Sequence, residues 1–162
     1  MKKSTVIKLL ASILSVLFFS GCASTADGTQ TTWNKIQAEK KAPVRLIKDD
    51  SFSDKNSTRL IAGWAGVSGK SAINGKYQKM AFDNIQENCG YGNSEFVESR
   101  IVKHGKSSWE EVWLFSDSAS HRDDKISGLT IFFQYDSKTN KTNIQFFGGC
   151  HTGKGTSFII SE

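Results

Sequence analysis

The sequence has little that marks an enzyme, a nucleic-acid binder or a membrane-spanning protein. It has no Ser nucleophile elbow, no HExxH and no carboxylate-rich calcium loop. His104, His121 and His151 stand in three separate turns, with none of the close His and Cys spacing that a metal centre needs. No cofactor or metal is therefore expected. The longest apolar run lies at residues 9–19 and is broken only by Ser12 and Ser15. At about eleven residues it is too short to span roughly 30 Å of hydrocarbon, but it matches the apolar core of a secretion signal. The excess of basic charge is small once that signal is set aside. Three of the 21 Lys and Arg residues fall within residues 1–21, leaving 18 against 16 acidic residues, a balance of +2. Such a balance gives no polybasic footprint and no support for nucleic-acid binding.

What the N-terminus does hold is an address. Lys2, Lys3 and Lys8 give a positive start, and no acidic residue precedes Asp27. The apolar run ends in Phe19-Ser20-Gly21-Cys22. This resembles the lipobox of bacterial lipoproteins, with Phe19 in the place of the usual Leu. The resemblance covers residues 1–22 alone. It implies removal of residues 1–21, lipid attachment to the Cys22 thiol and anchoring in a membrane by two or three acyl chains, where one chain would hold only reversibly. Ala23 follows, where an Asp would imply retention in the inner membrane. The implied location is the outer membrane, with the domain facing the periplasm.

Removing the signal leaves 141 residues, enough for one domain with a proper core. Cys89 and Cys150 remain as a pair in an oxidising compartment, for which a disulfide is the default reading; two free thiols or a metal site are the alternatives. A bridge closing about 60 residues would stabilise the fold by about 4 kcal/mol in the chain-entropy model.

The expected organisation is a lipidated Cys and flexible tether over residues 22–42, then a single globular domain over 43–162. Residues 23–32 are polar and lack an apolar period, as a tether does. A short helix over 33–41 would end at Pro43. Strands are expected near 43–47 and 59–66. Residues 76–88 carry the best helix, with Tyr77, Met80, Ala81 and Ile85 on one face and Gly90 placed to end it. From residue 95 the pattern changes to a period of two. Candidate strands at 95–103, 109–116, 127–135, 143–149 and 156–160, separated mostly by short polar turns, predict an antiparallel meander. With the helix on one face, the fold class is α+β.

Three constellations invite a chemical reading. Gly148-Gly149-Cys150-His151-Thr152-Gly153-Lys154-Gly155 nearly spells a phosphate loop, but Gly155 stands where Ser or Thr should hold magnesium, and a strand-like run follows in place of a helix. In Cys150-His151 the neighbours on a strand point to opposite faces, so the imidazole is badly placed to activate the thiol. His121-Arg122-Asp123-Asp124 sets an imidazole near carboxylates in the longest inter-strand loop, and reads first as a solvated polar turn.

Strand alternation separates Trp109, Trp113 and Phe115 from Val112 and Leu114. If the aliphatic sets, with Leu129, Ile131 and Phe133, face the helix, then Trp109, Trp113, Phe115 and Phe132 gather on the other side as a partner-binding face. The competing expectation is that the segment around Trp33, Ile36, Leu46 and Ile47 folds over that side as a second small core. The function expected is non-enzymatic: a structural, assembly or binding role in the cell envelope, with another envelope protein or the cell-wall polymer as partner. Second comes an inhibitor or immunity-type lipoprotein that blocks a toxin or hydrolase with a protruding loop at residues 117–125. A hydrolase requires His121, Asp123 and Asp124 to converge on a real cleft.

Overall fold

Strand β5 (Ser108–Ser116) organises the molecule, because every residue from Glu110 to Phe115 along it is buried. A strand covered on both faces needs a layer on each side. The computed structural model describes residues 26–52, 58–150 and 157–161. In chain order they form helix α1 (Ala26–Glu39), strands β1 (Val44–Lys48), β2 (Leu60–Trp64) and β3 (Val67–Ser68), helix α2 (Gly75–Cys89), and strands β4 (Phe96–His104), β5, β6 (Ile126–Asp136), β7 (Lys141–Gly148) and β8 (Ser157–Ser161). Strands β3 to β8 form one antiparallel sheet in sequential order, and β1 pairs with β2 in a separate hairpin. The α+β class holds, as does the meander, with the two-residue β3 added at its edge.

One face of the sheet is the main core. Trp109, Glu111, Trp113 and Phe115 of β5 lie beside Leu129, Ile131 and Phe133 of β6, which in turn neighbour Ile144 and Phe146 of β7. Helix α2 lies over them with Ala81, Ile85 and Cys89 buried at four-residue spacing. Its Phe82 ring packs 4.7 Å from Trp113 and edge-on to Phe96 at 5.4 Å. Gly90 ends the helix as the spacing predicts, in the left-handed conformation (φ 79°) with its N–H on the Gln86 carbonyl. Cys89 and Cys150 form a disulfide, their Cα atoms 5.1 Å apart, and fasten the helix end to the chain beyond β7.

The predicted partner-binding face is overturned here. Trp113 pairs with Leu129 and Val112 with Thr130, so the aromatic set of β5 shares its face with the aliphatic set of β6. A register one residue away from the expected one sends every side chain to the opposite side. Trp113 and Phe115 are fully buried under α2, Trp109 stacks on Phe133 at 5.4 Å, and Phe132 alone points to the other face.

That other face is covered by the N-terminal unit, the competing expectation, although with different residues. Ala65, Val112 and Leu114 are buried together, with Trp64, Val102 and Ile126 against them. The Trp64 ring lies over Gly128, where an added Cβ would sit 2.6 Å from Cζ3. Lys41 bonds the largely buried Glu110 at 2.7 Å and lies 4.4 Å over the Phe132 ring.

The tether expectation also needs correction. Helix α1 begins at Ala26, inside the stretch read as flexible. Its hold on the domain is polar. Asn34 accepts from the Leu46 N–H (2.7 Å) and donates to the Leu46 carbonyl (2.9 Å), while Gln30 donates to that same carbonyl (3.0 Å). The two side chains thus close the outer edge of β1 in the manner of a further strand. Helices draw most of their stability from tertiary contacts, and contacts of this kind leave no apolar period to read.

Gly128→Ala is expected to destabilise the domain by about 1–3 kcal/mol, because the Trp64 ring must move for the new methyl group. Urea denaturation would measure it, and Trp64→Leu in the same chain should recover part of the loss. An unchanged midpoint in the single variant would show that the ring does not need the space.

Candidate functional site

The chain between β5 and β6, residues 117–125, forms a surface loop closed by its own hydrogen bonds. It starts at Asp117, which is 6% exposed. Oδ2 of Asp117 accepts from the Tyr91 hydroxyl (3.0 Å) and the Ser127 hydroxyl (2.6 Å), and Oδ1 accepts from the Ala119 N–H (3.0 Å). A buried carboxylate is tolerated only when donors surround it. The backbone then closes on itself: the Asp117 N–H bonds the Lys125 carbonyl (2.7 Å), and the Lys125 N–H bonds the Arg122 carbonyl (3.2 Å). Ser120 adds a hydroxyl bond to the Ile126 carbonyl (2.9 Å), and Lys125 turns through a left-handed conformation (φ 53°).

Arg122 docks this loop on the N-terminal hairpin. Its guanidinium lies 4.4 Å over the Trp64 ring and donates to the Ala62 carbonyl of β2 at 3.4 Å. It also grips Asp124, with Nε 3.1 Å from Oδ1 and Nη2 2.9 Å from Oδ2. The guanidinium holds the Asp124 carboxyl below the usual carboxylate range, and the Ile126 N–H bond to Oδ1 adds to the effect. Two shallow concavities flank the loop and share His121 and Arg122. One, of about 380 Å³, is bordered by Asp117, Ser127 and Cys150; the other, of about 350 Å³, by Ala62, Asp123 and Asp124.

These positions decide what the loop can do chemically. A general acid–base pair needs a hydrogen bond between its members or to a shared substrate atom. His121, Asp123 and Asp124 lie together beside the second concavity, but Asp124 is engaged by Arg122, and His121 and Asp123 are exposed. Among the described residues no three His, Cys, Asp or Glu side chains group as metal ligands. The loop thus presents a charged, shallow surface whose backbone is held by internal hydrogen bonds.

The sulfur of Cys150 is bonded to Cys89 and is not a nucleophile. The phosphate-loop lookalike continues into strand β8, where that chemistry requires a helix; His151 and residues 152–156 lie outside the described residues. Cys22 also lies outside them. Among the described residues no helix is long and apolar enough to cross a membrane. Sequence reasoning missed Tyr91, Ser127 and Trp64 as supports of the loop. Asp117 did carry a signal: an Asp at a strand end followed by Ser-Ala-Ser is a turn-former that bonds its own backbone two residues on. Comparison with family models, curated proteins and solved structures finds no match to this chain.

The lowered Asp124 carboxyl has a defined pH consequence. Its contribution to loop docking is present above the ordinary aspartate value of about 3.9 and is lost as pH falls through its own lower value. Carbon-detected NMR titration should place Asp124 below the ordinary value, and Arg122→Gln should move it back up. An Asp124 that titrates normally in the unaltered protein would show that the guanidinium pair does not persist in solution.

Proposed function

We propose that the protein is a lipoprotein anchored through Cys22 to the outer membrane, with its domain in the periplasm, and that it acts without catalysis by binding another envelope component. The observation that carries this reading is the lipobox-like Phe19-Ser20-Gly21-Cys22 at the end of a short apolar run, ahead of a domain whose other two cysteines are paired. The uses of the buried acids agree with it. Asp117 organises a loop and Glu111 organises a helix start, so each has a structural task. Loop 117–125 is the proposed contact surface, with an envelope protein or the cell-wall polymer as partner.

A second reading is favoured by the stiffness of that loop. Inhibitors that block an enzyme present a segment already held in its bound shape, because ordering it on binding costs affinity. The internal bonds of residues 117–125 meet that requirement. On this reading the protein restrains a toxin or hydrolase in the periplasm.

Growth with labelled palmitate tests the anchor: the unaltered chain should take up label, and Cys22→Ser should not. Equal labelling of both would remove the lipoprotein reading. For the contact surface, crosslinking in intact cells should join the protein to a defined envelope component. Reversing charge at the exposed Asp123 (Asp123→Arg) should weaken that product at least several-fold while the melting temperature stays unchanged. Equal crosslinking would move the contact surface away from this loop.

A further inference from the structure

The polar side of α1, Gln30 and Asn34, is turned to the edge of β1. At 100° per residue, Thr29, Thr32, Trp33 and Ile36 fall on a different side of the helix. These residues line an open concavity of about 490 Å³, and Ile36 is 42% exposed. Lys40, the residue just past the helix, bonds its N–H to the Ile36 carbonyl (3.1 Å) and is exposed. A Trp, an exposed Ile and a Lys beside them form the combination that settles at the boundary between lipid headgroups and acyl chains.

Position on the chain identifies the occupant. Only four peptide units separate Cys22 from Ala26, the first residue of α1, so their Cα atoms lie within about 14 Å of each other. Along the helix, Trp33 and Ile36 lie about 10 and 15 Å beyond Ala26 at 1.5 Å per residue. A lipid on Cys22 therefore keeps this side of the helix within about 25 to 30 Å of its own attachment point, where the nearest apolar phase is the bilayer.

We infer that the Thr32–Trp33–Ile36 side of α1 rests on the surface of the membrane that holds the Cys22 lipid. The inference rests on the lipid-anchor reading above. The contact restricts how the domain is oriented on its anchor.

The test uses the lipidated protein purified from membranes and reconstituted into phosphatidylethanolamine–phosphatidylglycerol vesicles with brominated acyl chains, which quench nearby tryptophan. Flotation reports the anchor, and quenching reports the helix. The protein should float with the vesicles and be quenched. Trp33→Phe should remove most of the quenching, and Ile36→Asp should reduce it with Trp33 still present; both should float and melt as the unaltered protein does. Failure to float would overturn the anchor and this inference together. Flotation with quenching that neither substitution changes would overturn the inference and leave the anchor standing. A dimer in detergent that Ile36→Asp disperses, without Trp33-dependent quenching, would overturn it in favour of a second copy of the chain.

Discussion

The carboxylate of Glu111, fully buried between the sheet and the segment leading into α2, sets the terms for the main core. An unpaired charge in such a place would cost several kcal/mol. Three donors meet it: the Ser71 hydroxyl at 2.7 Å, the Ala72 N–H at 2.8 Å and the Trp113 indole N–H at 2.9 Å. The same Ser71 oxygen accepts the Ile73 N–H at 3.1 Å and so turns Ile73 into the core. Helix α2 begins two residues later at Gly75, and its N-cap residue Asn74 makes no side-chain cap. The helix start is thus held from below, through its lead-in segment, where a cap would ordinarily hold it. The polar residue in the middle of an aromatic strand is what positions the layer above it.

The far end of α2 is tied just as firmly, and this tie reaches the surface loop. Cys89 is bridged to Cys150, Gly90 reverses the chain, and Tyr91 stacks on Phe115 at 5.1 Å while its hydroxyl bonds Asp117. One short segment therefore connects helix end, core aromatic and the first residue of loop 117–125. The bridge closes 61 residues and constrains the unfolded chain by about 4 kcal/mol, which raises the stability of the whole arrangement that supports the loop.

Most of this architecture was legible from residue pattern, and the unread parts share a physical cause. The strands of the meander, the helix at 75–89 and its Gly90 stop follow from local periodicity and turn chemistry. The pairing of Cys89 with Cys150 followed from the compartment that the N-terminal motif implies and from their number. Facing was not legible. Val112 and Leu114 look like the natural partners of Leu129 and Ile131, yet a strand buried on both sides carries no alternation to say which side is which, and one step of register reverses the answer. The start of α1 was hidden because Gln30 and Asn34 hold it by hydrogen bonds to backbone. In the loop, His121 and Asp123 drew attention as titratable residues, while its structure depends on Asp117, Tyr91 and Trp64, which are 26 and more residues apart in two of the pairings concerned.

The two faces of the sheet are held by different kinds of interaction. Under α2 the contact is dense and aromatic. Opposite it, fewer buried side chains are supplemented by charges laid on rings, Lys41 on Phe132 and Arg122 on Trp64, each also paired with an acid. Interactions of that type are worth less than close-packed apolar area, so local opening free energy should be lower on this side. Arg122 sits at the junction. It belongs to the loop proposed as the contact surface, and through Trp64 and the Ala62 carbonyl it fastens the hairpin whose outer edge carries α1. Loop, hairpin and the helix nearest the Cys22 position thus form a continuous set of contacts, so a partner that competes for the Arg122 guanidinium would loosen the attachment of the N-terminal unit at that corner.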